Sequence, residues 1–221
     1  MTLALLHTSP VHVPVFDALR DAGHPDLALR HFVDEGLLDR AGATGPEAVT
    51  GDVEALLAAA VDEGATAVLC TCSTIGGVAE SAGAGLGVPV LRVDRPMAAA
   101  AARVERVTVI AAVAATLAPT LALLAEEADR AGRRAARVCT VLVDGAWECF
   151  EAGDRDGYLD LVAAAADAVT DSEVIVLAQA SMADAATRTV TRIPVLSSPR
   201  PGLDAAAAVA MAGSPGRADH R

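Results

Sequence analysis

The sequence predicts an α/β fold of two similar lobes, each a parallel sheet flanked by helices, related by a pseudo-twofold with the active site between them. Three observations predict it. Short apolar runs alternate with amphipathic helical stretches, the order of elements in the first half recurs roughly a hundred residues later, and the proline spacings recur with it.

The chain opens with Leu3–Leu6, an apolar run ending in His7-Thr8-Ser9, and Val107–Ile110 has the same character in the second half. Met1–His7 lacks a basic segment and is short for a signal peptide, so it reads as a first strand. Asp52–Glu63 follows as an amphipathic helix, with Val53, Leu56, Leu57 and Ala60 on one face; its counterpart is Tyr158–Val169. Each helix leads into a buried strand that ends in small polar residues. These are Ala67-Val68-Leu69-Cys70-Thr71-Cys72-Ser73-Thr74 and Ile175-Val176-Leu177-Ala178-Gln179-Ala180-Ser181. A second strand comes next in both halves, Val88–Leu91 and Ile193–Leu196, and then an Arg-Pro pair, Arg95-Pro96 and Arg200-Pro201. Pro89 precedes Pro96 by seven residues, and Pro194 precedes Pro201 by the same interval. Chance supplies one apolar match more readily than it supplies both spacings. The division expected is residues 1–95 for lobe 1 and 96–202 for lobe 2. A C-terminal helix over about 203–212 returns to lobe 1, and residues 213–221 form a frayed tail.

Composition narrows the function classes. Hydrophobic residues make up 53% and aromatics only 2%, so the core is aliphatic. The formal net charge of −12 repels a phosphate backbone, and no basic cluster with interleaved aromatics offsets it; no nucleic-acid partner is expected. Val107–Ala125 is uncharged and nearly long enough for a membrane span, but Pro119 divides it into a β-branched strand and a helix, so no membrane partner is expected either. The four cysteines form no CxxC pair, and the histidines have no zinc-finger spacing, so no metal site is expected. Reduced thiols and a cytoplasmic location follow. An Ala-rich helix face suits packing against a second copy of the chain.

In open parallel sheets, ligands bind beyond the carboxyl ends of the strands. Facing lobes therefore bring His7, Thr8, Ser9, Cys72, Ser73, Thr74, Thr116, Gln179, Ala180 and Ser181 to one cleft. Cys72 is the candidate catalytic residue, because a thiol before a helix N-terminus is favoured as thiolate; the bland alternative is a small buried side chain. Cys70, deeper in the strand, is expected to pack, and Cys139 and Cys149 are expected to be structural. Thr116 is expected to begin the counterpart helix, where its hydroxyl caps the helix or binds an anion. Gln179 donates hydrogen bonds but transfers no proton at neutral pH. His12, His24 and His31 read as surface or helix residues. The Gly/Thr/Pro-bearing stretch 41–51 reads as a connecting loop that could cover the cleft.

Three tracts together resemble the aspartate/glutamate/hydantoin racemase superfamily. Leu69-Cys70-Thr71-Cys72-Ser73-Thr74-Ile75-Gly76 is similar to its first cysteine motif, Ala115-Thr116-Leu117-Ala118-Pro119-Thr120 to its second-lobe threonine segment, and Val176–Asp184 to its second motif. The resemblance runs from Leu3 to about Val209. It implies two α/β lobes and a cofactor-free site holding a small carboxylate, with a thiol acting on each face of the substrate α-carbon. Its members are racemases, a cis–trans isomerase of maleate and a malonate decarboxylase.

This chain departs from the pattern where it matters. Gln179 stands where the second thiol belongs, and Ala111 and Ala112 replace the usual glycine and threonine. Inversion takes a proton from one face and returns it on the other, so a single thiol disfavours a two-base racemase. The expectation is therefore a cofactor-independent, isomerase-type enzyme acting on a small carboxylic acid through Cys72. The alternatives are a decarboxylase of a malonate-type acid, a two-base racemase, and a non-catalytic carboxylate-binding paralogue.

Overall fold

The computed structural model describes residues 1–212; the expected frayed tail, residues 213–221, lies outside them. Eight strands form two separate four-stranded parallel sheets with the same topology. Lobe 1 carries β1 (Thr2–His7), β2 (Ala28–Val33), β3 (Ala67–Cys70) and β4 (Val90–Arg92), in the order β2-β1-β3-β4. Lobe 2 repeats this with β5 (Arg106–Ala111), β6 (Arg137–Leu142), β7 (Val174–Leu177) and β8 (Val195–Leu196), in the order β6-β5-β7-β8. All pairings are parallel, with Leu6 opposite Cys70 in one sheet and Ile110 opposite Leu177 in the other.

Side-chain alternation along the central strands feeds two cores per sheet. In lobe 1, Ala4, Leu6, Val68 and Cys70 face one way, and Leu3, Leu5, Ala67 and Leu69 the other. In lobe 2, Ile110, Ile175 and Leu177 oppose Val107, Val109, Val174 and Val176. Because both faces are covered, these strands read as unbroken apolar runs. Helices α1 (His12–Gly23), α2 (Gly36–Thr44), α3 (Thr50–Asp62) and α4 (Gly76–Gly83) belong to the first half. In the second half, α6 (Leu117–Arg130), α7 (Ala146–Glu151) and α8 (Arg155–Asp167) take the places of the first three, and a 3-10 helix over Ala180–Thr187 stands where α4 does.

Two helices cross between the lobes. After β4, α5 (Arg95–Ala101) puts Met97, Ala98 and Ala101 into the core of lobe 2 with Val107 and Val109. After β8, α9 (Pro199–Ala212) returns Leu203, Ala206, Ala207 and Ala210 to the Leu3–Leu5 face of lobe 1. The Arg-Pro pairs mark these crossings, because proline in the first helical turn starts a helix at no hydrogen-bond cost. Arg95 also pins the lobes: it bonds Glu80 of α4 on one side and Glu126 and Glu127 of α6 on the other.

Two local expectations change. The 41–51 stretch is helical rather than a loop, forming the end of α2, a 3-10 turn over Pro46–Val49 and the start of α3. Apolar residues Ala41 and Val49 bury within it and hold it against lobe 1. The helix expected directly after Cys72 begins only at Gly76, with a turn over Ser73–Ile75 between them. Among the described residues, no helix is long and apolar enough to cross a membrane.

Candidate active site

The strand ends of the two lobes meet at a small cavity of ≈ 40 Å³. Its walls are Thr8, Ser9 and His12 after β1, Leu38 of α2, Thr71 to Thr74 after β3, Thr116 before α6, Trp147 and Phe150 of α7, and Gln179 to Ser181 after β7. Nine of the ten residues expected at the site line it. Cys72 and Gln179 share it, one from each lobe.

His7 is the exception. Its ring is fully buried beneath the cavity, where Nδ1 lies 2.7 Å from Thr71 Oγ1 and Nε2 lies 2.9 Å from His31 Nδ1. His31 Nε2 in turn lies 3.3 Å from Asp17 Oδ1. Burial, reinforced by His12 and His31 nearby, lowers the His7 pKa to about 3, so the ring is neutral. The Thr71 hydroxyl donates to the Leu6 carbonyl at 3.0 Å, so His7 Nδ1–H donates to Thr71 Oγ1 and the neutral ring accepts at Nε2 from His31 Nδ1–H. The expectation of direct substrate contact is thus corrected: His7 holds Thr71, the residue before the thiol, from below.

The turn that carries Cys72 is braced from the other side by Arg92. This buried guanidinium holds Asp94 through two bonds of 2.6 and 2.9 Å, and its Nη2 donates to the Ser73 carbonyl at 3.3 Å. A β-carbon at Gly76 would come within 3.0 Å of Arg92 Cβ and Nε, so glycine lets α4 start directly against the guanidinium. Cys70 packs in the core as expected, its Sγ 3.6 Å from the Cys72 carbonyl oxygen, and burial raises its pKa. Cys72 is only partly buried, so it is the thiol the cavity reaches. Cys139, expected to be structural, is exposed on the edge strand β6.

Hydroxyl groups line the rest. Ser73, Thr74, Thr8 and Thr116 are all more than nine-tenths buried, and Ser73 Oγ has no protein partner among the described residues. Thr116 does not cap α6 through its side chain; its hydroxyl meets Thr74 Oγ1 at 3.2 Å across the lobe boundary. Gln179 is oriented by lobe 2, its Oε1 accepting from the backbone N–H groups of Ala112 at 2.6 Å and Val113 at 3.2 Å. With the carbonyl end occupied, the amide NH₂ is the end left for a ligand. Ser181 bonds the Tyr158 hydroxyl at 2.7 Å, and burial first of all raises that phenol to about 12.

Five lining residues were not expected at the site: His12, Leu38, Thr71, Trp147 and Phe150. Trp147 and Phe150 stack at 4.8 Å and 16° to form an apolar wall, and three of the chain's five aromatics gather there with Tyr158. Their scarcity was the available signal. His12, read as a surface or helix residue, does open helix α1, but it also lines the cavity, half-buried and stacked 6.1 Å from His7. Among the described residues, no cluster of three or more His, Cys, Asp or Glu could hold a metal ion.

The architecture is that of a two-lobed α/β protein with a thiol-bearing site between pseudo-equivalent sheets. More particularly, the fold is the one seen in solved structures of glutamate racemases, an allantoin racemase and an arylmalonate decarboxylase. A glutamate racemase isoform from Bacillus anthracis superposes with a TM-score of 0.72 at 15% identity, covering 96% of this chain and 82% of that one. Allantoin racemase from Klebsiella pneumoniae gives 0.65 at 16% identity, over 96% and 89%. A liganded mutant of arylmalonate decarboxylase, with one glycine changed to cysteine and one cysteine to serine, gives 0.61 at 21% identity, over 96% and 94%. No protein-family model matches the sequence, and no curated protein sequence matches it.

Proposed function

We propose that the protein is a cofactor-independent, isomerase-type enzyme that acts on a small carboxylic acid through Cys72. The observation that carries this reading is the pairing of one accessible thiol with a cradle of buried hydroxyls in a cavity closed by both lobes. Ser73, Thr74, Thr8 and Thr116 offer hydrogen bonds to carboxylate oxygens, and each such charge-assisted bond is stronger than a neutral one. The Gln179 amide donates to the same substrate from the facing wall. Trp147, Phe150 and Leu38 suit an apolar substituent on the acid. Superfamily racemases and a decarboxylase among the structural neighbours support chemistry at a carbon beside a carboxylate. Cys72 acts there as the proton carrier or nucleophile.

A pair of alkylating reagents tests this directly. Iodoacetate carries a small carboxylate, whereas iodoacetamide does not. The cradle predicts that iodoacetate labels Cys72 at least about tenfold faster relative to iodoacetamide than it labels the exposed Cys139, and that Thr74→Val removes this preference. If Cys139 is labelled first by both reagents, with Cys72 left unmodified, the reading is wrong.

A further inference from the structure

A thiol alone cannot invert a carbon centre, yet the cavity holds a second group able to exchange a proton near neutrality. Of the fourteen residues that line it, Cys72 and His12 are the two with such a side chain; the others are hydroxyl, amide, alanine, leucine or aromatic residues. His7, His24 and His31 each have a ring nitrogen bonded to a neighbouring side chain. His12 has no hydrogen-bond partner among the described residues, so both its nitrogens are available to a ligand.

Its position matters as much. His12 begins α1 in lobe 1, but it also lines a crevice with Ala180, Ser181, Asp184 and Arg155 of lobe 2. It therefore stands beside the Gln179–Ser181 tract, while Cys72 comes from the turn after β3. That tract is where inversion needs a proton carrier and where Gln179 supplies none.

We propose that His12 is the second catalytic residue of this site, exchanging a proton with the substrate α-carbon on the face away from Cys72, so that the reaction is inversion at a carbon bearing a carboxylate. This rests on the assignment of Cys72 above. In one direction the neutral His12 ring takes the α-proton: the C–H bond breaks, N–H forms, and the electron pair passes into the carboxylate as an enediolate. The Cys72 thiol then gives its proton to the opposite face and is left as thiolate. In the other direction the thiolate accepts and the imidazolium donates. The pair carries one proton too few or too many for neither enantiomer, because thiolate with imidazolium and thiol with imidazole differ only in where that proton sits. Burial, with the charge of Arg155 adding to it, lowers the His12 pKa to about 4, which keeps the ring in its neutral, accepting form.

Solvent exchange in D₂O separates the two assignments, using the separate enantiomers of 2-phenylpropionate, mandelate, aspartate and glutamate as probes. The native protein is expected to invert at least one of these acids with uptake of one deuterium. His12→Ala should lower inversion about 100-fold or more, while one enantiomer still exchanges at the Cys72 face within about tenfold of the native rate. Added imidazole should restore inversion to His12→Ala, a rescue that lost packing against His7 does not predict. Inversion by His12→Ala at the native rate overturns the role of His12 and leaves that of Cys72 standing. Inversion by Cys72→Ser at the native rate, or no exchange of any probe by the native protein, overturns the site assignment and this inference with it.

Discussion

The two lobes share a strand order and a register but divide the chemistry unequally. Lobe 1 ends its central strands in an imidazole and a thiol tract, His7 and Thr71-Cys72-Ser73-Thr74. Lobe 2 ends the equivalent strands in Ala111 and Gln179-Ala180-Ser181. Polar groups are also buried differently. Lobe 1 encloses His7, Thr71, Arg92 and Asp94, all braced against the thiol turn, whereas in lobe 2 the braced group is a neutral amide held by two backbone N–H groups. Duplication thus conserves the scaffold, because parallel strands buried on both faces tolerate little change. The loop ends face water and ligand, and there the copies are free to specialise. On the proposed reading, lobe 1 carries the reactive sulfur, and lobe 2 supplies orientation and an apolar wall.

The largest test of this division lies at Cys72 and Gln179. If lobe 1 acts and lobe 2 orients, Cys72→Ala should cost at least about 10⁴-fold in turnover, or about 5 kcal/mol of barrier, whereas Gln179→Ala should cost about 10- to 100-fold. Equal losses in steady-state kinetics would mean that the lobes share the chemistry.

The next contrast is structural. Arg92 and Asp94 form a buried ion pair in lobe 1, and the repeat places Ser197 at the position equivalent to Arg92 in lobe 2. Asp94→Ala leaves an uncompensated guanidinium and should destabilise the protein by about 3–5 kcal/mol. Ser197→Ala should shift stability by no more than about 0.5 kcal/mol. Urea denaturation of the two variants gives both numbers. A small loss at Asp94 would mean that the Ser73 turn is held by other contacts.

Much of this contrast was legible in the sequence, for identifiable reasons. The strands buried on both faces, β1, β3, β5 and β7, announce themselves as uninterrupted aliphatic runs, and the Pro and Arg-Pro spacings reveal the duplication and the crossing helices. The edge strands β2 and β6 do not, because both are half-exposed along their length, β2 with Arg30 and His31 at its centre and β6 with Cys139 and Thr140, and they resemble surface loop. Among site residues, those adjoining a strand end were found through the topology rule. His7 was misplaced because a strand end has two sides, and the one-dimensional pattern does not say which side faces the partner lobe. His12, Trp147 and Phe150 lie on helices, α1 and α7, whose approach to the cavity depends on how the lobes pack. Such packing depends on contacts distant in sequence, and no local period records it.

Histidine burial makes lobe 1 the acid-sensitive half. An unfolded chain protonates His7 near the ordinary value of 6.5, but the folded protein does so only near about 3. Between these values the unfolded state binds more protons, so stability is complete above about pH 6.5 and falls as the pH drops. The loss should reach about 3 kcal/mol by about pH 4, and His12, half-buried and shifted the same way, adds to it. Denaturation midpoints measured across this range should fall for the native protein and change less for His7→Gln. A native protein with a flat profile would show that the ring is protonated in the folded state.

The smallest expected effect probes a contact in which the lobes contribute alike. Thr74 and Thr116 each present a buried hydroxyl, and the two meet at 3.2 Å where the lobes join. Both residues are more than nine-tenths buried, so Thr74→Val or Thr116→Val leaves the surviving hydroxyl without its partner and should cost about 1–2 kcal/mol of stability. Replacing both removes the pair at constant shape, leaves no orphan, and should cost about 0.5 kcal/mol or less. A double-mutant cycle therefore predicts a coupling of about 1 kcal/mol or more. Additive losses would mean that each hydroxyl serves its own lobe, in which case the boundary is held by Arg95 and its glutamates. Strong coupling would instead show that this hydroxyl pair joins the lobes alongside Arg95 and its glutamates.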